Sequence, residues 1–169
     1  MKVLAELCQP DLRQSFMVGE VKDYYAILEP LVLTESVPEN IRKQFDVARD
    51  LMLYGWFVYE FYTVASQQAL ACLEFGLREA CKIVNGGINP CEKQTGLRCY
   101  LKEAKNRGLI PTGKYHDELS RLVSQVRNSL AHGSSTLFNF TLAMQNLKLT
   151  ADVLNDVFSA EEVASCRAK

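Results

Sequence analysis

The chain has 169 residues, 48% of them apolar and 23% charged, with a formal net charge of -1. That length supports one domain with a full core, and the composition excludes a disordered, collagen-like or fibrous class. A net charge this close to zero argues against strong nonspecific binding of a polyanion such as RNA.

The charge is unevenly distributed. Residues 1–60 carry 6 basic and 10 acidic side chains, whereas residues 92–132 carry 8 basic against 4 acidic. A basic excess of this kind attracts an anion, and a solvated helix surface produces it equally well. Glu6 interrupts the opening apolar residues, so no secretory leader is expected. The longest apolar run, Leu51 to Tyr59, lies between Asp50 and Glu60 and is about half the roughly 20 residues of a membrane-spanning helix. The six cysteines include no C-x-x-C pair, and Cys72 and Cys81 fall inside a helical pattern as buried thiols do. A reduced cytoplasmic protein without metal or other cofactor is the simplest expectation.

Residues 1–39 read as an N-terminal appendage. Leu12, Phe16, Val21, Tyr24, Tyr25, Ile27 and Leu28 suggest a short amphipathic helix ending before Pro30, and residues 31–38 an extended connector. From Asn40, read as an N-cap, the pattern is helical to Val84, divided or bent at Gly55 and stopped by Asn85-Gly86-Gly87. Val58, Tyr62, Ala65, Ala69, Cys72, Gly76, Ala80 and Ile83 recur at steps of three or four on one face. Their small size predicts a central helix that its neighbours approach closely.

A loop over residues 85–94 leads to a helix from Thr95 to Asn106 with Leu97, Leu101 and Ala104 inward, ended by Gly108. After a turn at Pro111-Thr112-Gly113, a helix is predicted from Lys114 to Ala131, ended by Gly133. The last helix runs from Leu137 to Phe158, and residues 161–169 read as a C-terminal tail. The expectation is an all-α bundle of about five helices, its main body spanning residues 40–160.

On the 114–131 helix, at about 100° per residue, Leu119, Leu122, Val123, Val126 and Leu130 share a core face. Arg121, Gln125, Asn128 and His132 form a polar stripe on the opposite side, and Arg127 stands at the boundary. His132 is therefore not a core histidine. It is either part of a site or part of a wet surface that caps the helix end. Arg127 has the forked donors that suit a phosphate, and a histidine near neutrality moves the proton of a hydroxyl or leaving oxygen. One histidine supplies only half of an acid–base pair, which a two-fold dimer would complete. Glu74 and Arg78, four residues apart on the central helix, read as an ion pair, ordinary or supporting the site. His116, at the edge of the core face, reads as structural.

Arg127-Asn128-Ser129-Leu130-Ala131-His132 resembles the R-x4-6-H motif of the HEPN-domain superfamily. Asn128 stands where that family often has a polar residue after the arginine, and Gly133 where it has a trailing glycine. The resemblance covers roughly residues 40–160. It implies a metal-independent endoribonuclease working as a homodimer, with Arg127 on the phosphate, His132 as general acid or base and Asn128 positioning the RNA. Arg121 and Gln125 are candidate substrate contacts, with Glu74 and Arg78 in support. Such proteins are often toxins or defence effectors with an antitoxin or other partner. The chain departs from members that continue the motif with tyrosine, having His132-Gly133-Ser134, so a tyrosine-modifying partner is not implied. Other members are non-catalytic nucleotide-binding or protein-interaction modules, and that alternative stays open.

Overall fold

A computed structural model describes residues 2–3, 6–16, 19–92, 96–111, 113–115, 117–119, 121–122 and 137–167. Among these every regular element is helical and no strand occurs. The protein is an all-α helical bundle.

A 3-10 turn at Leu12–Phe16 precedes helix α1, Val21–Leu28. The Glu20 N–H donates to the Asp23 carboxylate at 2.6 Å, which satisfies one of the free donors at the helix start. Tyr24 and Leu28, one turn apart, are buried. Helix α2, Glu39–Tyr54, begins two residues earlier than its sequence signal: Pro38 and not Asn40 holds the cap position, and the Asn40 side chain accepts from the neighbouring Ile41 N–H at 3.1 Å. The expected break at Gly55 extends into a turn through Glu60, which leaves Val58 outside the helices.

Helix α3, Phe61–Val84, is central, with α2 packed on one side and helix α5, Phe140–Ser159, on the other. Glycines at each contact allow the close approach, Gly76 within α3 and Gly55 at the end of α2. A Cβ on Gly76 would lie 2.4 Å from Cδ2 of Leu154 in α5, and one on Gly55 2.3 Å from the Tyr62 ring. The helix stops at Asn85-Gly86-Gly87 as predicted, Gly86 and Gly87 taking φ of 63° and 86° while the Gly87 N–H reaches the Lys82 carbonyl at 2.8 Å. Left-handed backbone of this kind favours glycine.

Helix α4, Leu97–Asn106, packs on α3. Helix α5 starts at Phe140 rather than Leu137 because Asn139 caps it, accepting from the Leu142 N–H at 2.9 Å. Asn139 is a standard cap residue. A further helix, α6 (Glu161–Arg167), lies within the stretch read as a tail and packs back on α3 and α5. Arg167 donates to the Ser36 carbonyl and so ties α6 to the connector before α2. Seven residues are too few to carry a readable helical period, and α6 owes its form to this packing.

The cysteines correct the expectation of a fully reduced chain. Cys91 and Cys99 form a disulfide with Cα atoms 6.1 Å apart, joining the loop after α3 to the first turn of α4. The two are eight residues apart, outside any standard ligand or redox spacing, and only the fold of the loop brings them together. Cys72 and Cys81 are free and buried in α3. Burial pushes their thiols up to about 12 and about 11, so both stay protonated and unreactive. Among the described residues no helix is long and apolar enough to cross a membrane.

Candidate functional site

The described start of the helix predicted over residues 114–131 has the expected register, but it begins after Tyr115 and not at Lys114, residues 113–115 forming a turn. Residues 117–119 and 121–122 are helical, with Leu119 and Leu122 each 1% exposed and Arg121 turned to solvent. The Leu119 N–H bonds the Tyr115 carbonyl at 2.9 Å. Gln125, Arg127, Asn128 and His132, together with His116, lie outside the described residues.

Arg121 opens a shallow groove against α5. Its Nη1 donates to the Gln145 carboxamide oxygen at 3.0 Å, and the groove, about 360 Å³, continues over Tyr115, Glu118, Lys148 and Asp152. Gln145, Lys148 and Asp152 follow at helical spacing on α5, which is why they share one side. Among the described residues Lys148 has no ion-pair partner, and Arg121 donates to a neutral amide. Both cations are thus open to an anion. Glu118 and Asp152 offset them, so the groove suits one or two phosphates better than a long polyanion track.

Tyr115 is held in an unusual conformation at the head of this groove. Its φ of 64° is the only positive value for a non-glycine residue among those described, a costly backbone for a bulky side chain. Tertiary bonds hold it there. The Tyr115 hydroxyl donates to Asp156 at 2.8 Å, and the same carboxylate oxygen accepts from Lys114 Nζ at 2.6 Å. The bond to Asp156 also raises the Lys114 ammonium above its ordinary value, while burial raises the Tyr115 phenol.

Glu74 and Arg78 do not pair with each other, contrary to their i,i+4 spacing. Glu74 Oε2 instead accepts from the Leu97 N–H at 3.0 Å, a free donor at the start of α4. Arg78 turns to Glu79 at 3.3 Å and over the Phe75 ring at 5.0 Å. A backbone donor with no other partner outcompetes an exposed ion pair worth a few tenths of a kcal/mol. Glu74 is an anchor for α4.

A second polar constellation was not singled out in the sequence. Asp11 accepts from Arg13 Nε and Nη2, each at 2.8 Å, and from the Tyr59 N–H at 3.2 Å. Arg13 also reaches Glu60 at 2.8 and 3.0 Å and lies over the Tyr59 ring at 4.6 Å. Hydrogen bonds from Arg13 hold both carboxyls below their usual range. Gln14 is buried beneath, its amide donating to the Gly55 carbonyl at 3.0 Å and to the Tyr62 hydroxyl at 2.9 Å. Beside this clamp is a cavity of about 940 Å³, with Trp56 and Pro10 among its walls and Lys2 and Glu6 among its polar residues. The signal in the sequence was slight: an Asp-x-Arg step in a segment without a period.

No protein-family model matches the chain, and no characterised protein and no solved structure matches it.

Proposed function

We propose that the protein is a metal-independent endoribonuclease of the HEPN type, acting in the cytoplasm as a homodimer and serving as a toxin or defence effector. The observation that carries this reading is the sequence order Arg127-Asn128-x3-His132, which follows a helical start at residues 117–119 and 121–122 that sets Leu119 and Leu122 inward and Arg121 outward. Continued at about 100° per residue, that register turns Asn128 and His132 to the same side as Arg121.

In the proposed reaction a 2′-hydroxyl attacks the adjacent phosphorus. His132 takes the hydroxyl proton, the 5′-oxygen leaves, and the second protomer's copy of the histidine returns a proton to it. The products are a 2′,3′-cyclic phosphate and a free 5′-hydroxyl. Arg127 offsets the charge gathering on the phosphate oxygens, Asn128 orients the substrate, and Arg121 and Gln125 hold flanking phosphates or bases. An antitoxin or other protein partner belongs to the same reading.

Incubation with varied single-stranded RNAs in EDTA tests it. Wild type is expected to cleave, and His132→Ala to lose at least about a hundredfold in rate, the usual contribution of a general acid or base. Equal absence of cleavage in both would overturn the reading. The cavity beside Trp56 favours a second one, a non-catalytic module for a nucleotide or a protein. That reading expects no cleavage, and a melting temperature that rises when a nucleotide is added.

A further inference from the structure

The cavity beside Trp56 has an open hydrogen-bond acceptor in its wall. Gln14 is 2% exposed, and its amide nitrogen is spent on the Gly55 carbonyl and the Tyr62 hydroxyl. A carbonyl only accepts, so the nitrogen must face Gly55 and the orientation of the amide is fixed. Oε1 is the atom left over. It is buried without a hydrogen-bond partner among the described residues, a costly state for an acceptor. Gly55 and Tyr62 are buried in the bundle beneath Gln14, which leaves the oxygen to the side on which Gln14 lines the cavity.

The other polar groups of the cavity differ in whether they are already used. Arg13 is committed to Asp11 and Glu60, Asp11 to Arg13 and the Tyr59 N–H, and Lys2 donates to the Gln9 carbonyl at 2.6 Å. The Glu6 carboxylate is exposed and has no ion-pair partner among the described residues. The open groups, Gln14 Oε1 and Glu6, are therefore both acceptors. Charge has the same sense. Lys2 and Arg13 are outnumbered by Glu6, Asp11 and Glu60, in the stretch of residues 1–60 where acids exceed bases by 10 to 6. A cation gains from this field, and an anion is opposed by it. The rest of the wall is apolar: Leu12, 89% exposed, lines the cavity with Pro10 and with Trp56, whose ring packs on Tyr24 with centroids 4.6 Å apart.

We propose that this cavity binds a small organic cation, with an ammonium group bonded to Gln14 Oε1 and facing Glu6, carried on an apolar or aromatic body that packs on Leu12, Pro10 and Trp56. An ammonium supplies three donors and no acceptor, which is what two open acceptors require. A water would satisfy Gln14 but leave Glu6 unpaired and Leu12 uncovered. The volume, about 940 Å³, is that of a small-molecule site. The proposal goes beyond the ribonuclease and stands whether or not the protein cleaves RNA. In place of the nucleotide of the second reading it assigns the cavity a ligand of opposite charge, and the same titrations decide between them.

The chain has a single tryptophan, Trp56, so its emission reports on this cavity directly. Phenethylamine, titrated into the full chain near neutral pH, is expected to change that emission saturably, with half-saturation below about 1 mM. Phenylpropionate, of similar shape and opposite charge, and adenosine monophosphate are each expected to bind at least about tenfold more weakly. Glu6→Gln is expected to weaken the amine at least about threefold, the upper range for an exposed charge pair, without weakening phenylpropionate. Leu12→Ser is expected to weaken the amine by a similar factor through lost apolar contact. Both side chains are exposed, so neither substitution threatens the fold. No saturable response to the amine, equal or tighter binding of phenylpropionate or adenosine monophosphate, or an amine affinity unchanged in either variant overturns the proposal. RNA cleavage measured on the same samples keeps this outcome apart from the ribonuclease reading: amine binding without cleavage keeps the site and removes the enzyme.

Discussion

Arg13 helps hold the N-terminal segment to the bundle, joining Asp11 to Glu60 and covering Tyr59 beside the bonds of Gln14 and the Asp11 N–H. Arg13→Ala is expected to destabilise the fold by about 1–3 kcal/mol, the range for lost hydrogen bonds to a charged group, since the buried Asp11 carboxylate would lose both guanidinium donors and keep only the backbone N–H groups of residue 13 and Tyr59. The same cluster sets an acid response. Asp11 and Glu60 have folded-state values below the ordinary carboxylate range, so their contribution is complete above about pH 4 and is lost as the pH falls below it. Urea melts from pH 6 downward are expected to show a steeper loss of stability below about pH 4 in wild type than in Arg13→Ala. Parallel curves would remove Arg13 from the account. None of this was legible at residues 11–14, where no period marks which side chains go inward. Arg121, Leu119 and Leu122 were legible because a helix repeats, and a repeat predicts a face. The Glu74–Arg78 pairing was misread at the same scale: spacing sets which side chains come within reach, but an unpartnered backbone N–H from a distant helix decided which bond formed.

At the scale of elements, the close approaches of α3 determine the packing. Gly55 has φ of -56°, which any residue adopts, so glycine is required there only for space. A Cβ would meet three Tyr62 ring atoms at 2.3, 2.4 and 2.9 Å, and the buried ring cannot swing aside. Gly55→Ala is expected to cost about 1–3 kcal/mol, as overpacking does, read as a lowered midpoint in chemical denaturation. An unchanged midpoint would mean that the α2–α3 turn yields freely. The Cys91–Cys99 bond acts on the other end of α3, fastening the following loop to α4. Constraint of a loop this short is worth about 2–3 kcal/mol through the unfolded chain. Reduction is therefore expected to lower the melting temperature by several degrees, and Cys91→Ser to show no further change on reduction. The Glu74 anchor remains in both cases, so α4 should keep its helicity.

For the molecule as a whole, the groove beside Arg121 predicts a response to salt: RNA contact through Arg121 and Lys148 should weaken as salt is raised from low to high, read as a rising dissociation constant for single-stranded RNA, and affinity indifferent to salt would remove the two cations from the account. By itself the sequence determined the helical class, the central place of the 61–84 segment, the glycine stop after it and the inward face at Leu119 and Leu122, because each follows from local periodicity or backbone chemistry. The tertiary structure alone decided the Asp11–Arg13–Glu60 clamp, the diversion of Glu74 to α4, the Cys91–Cys99 bond and helix α6. Each of these depends on contacts between separate elements, and no pattern within one element encodes them.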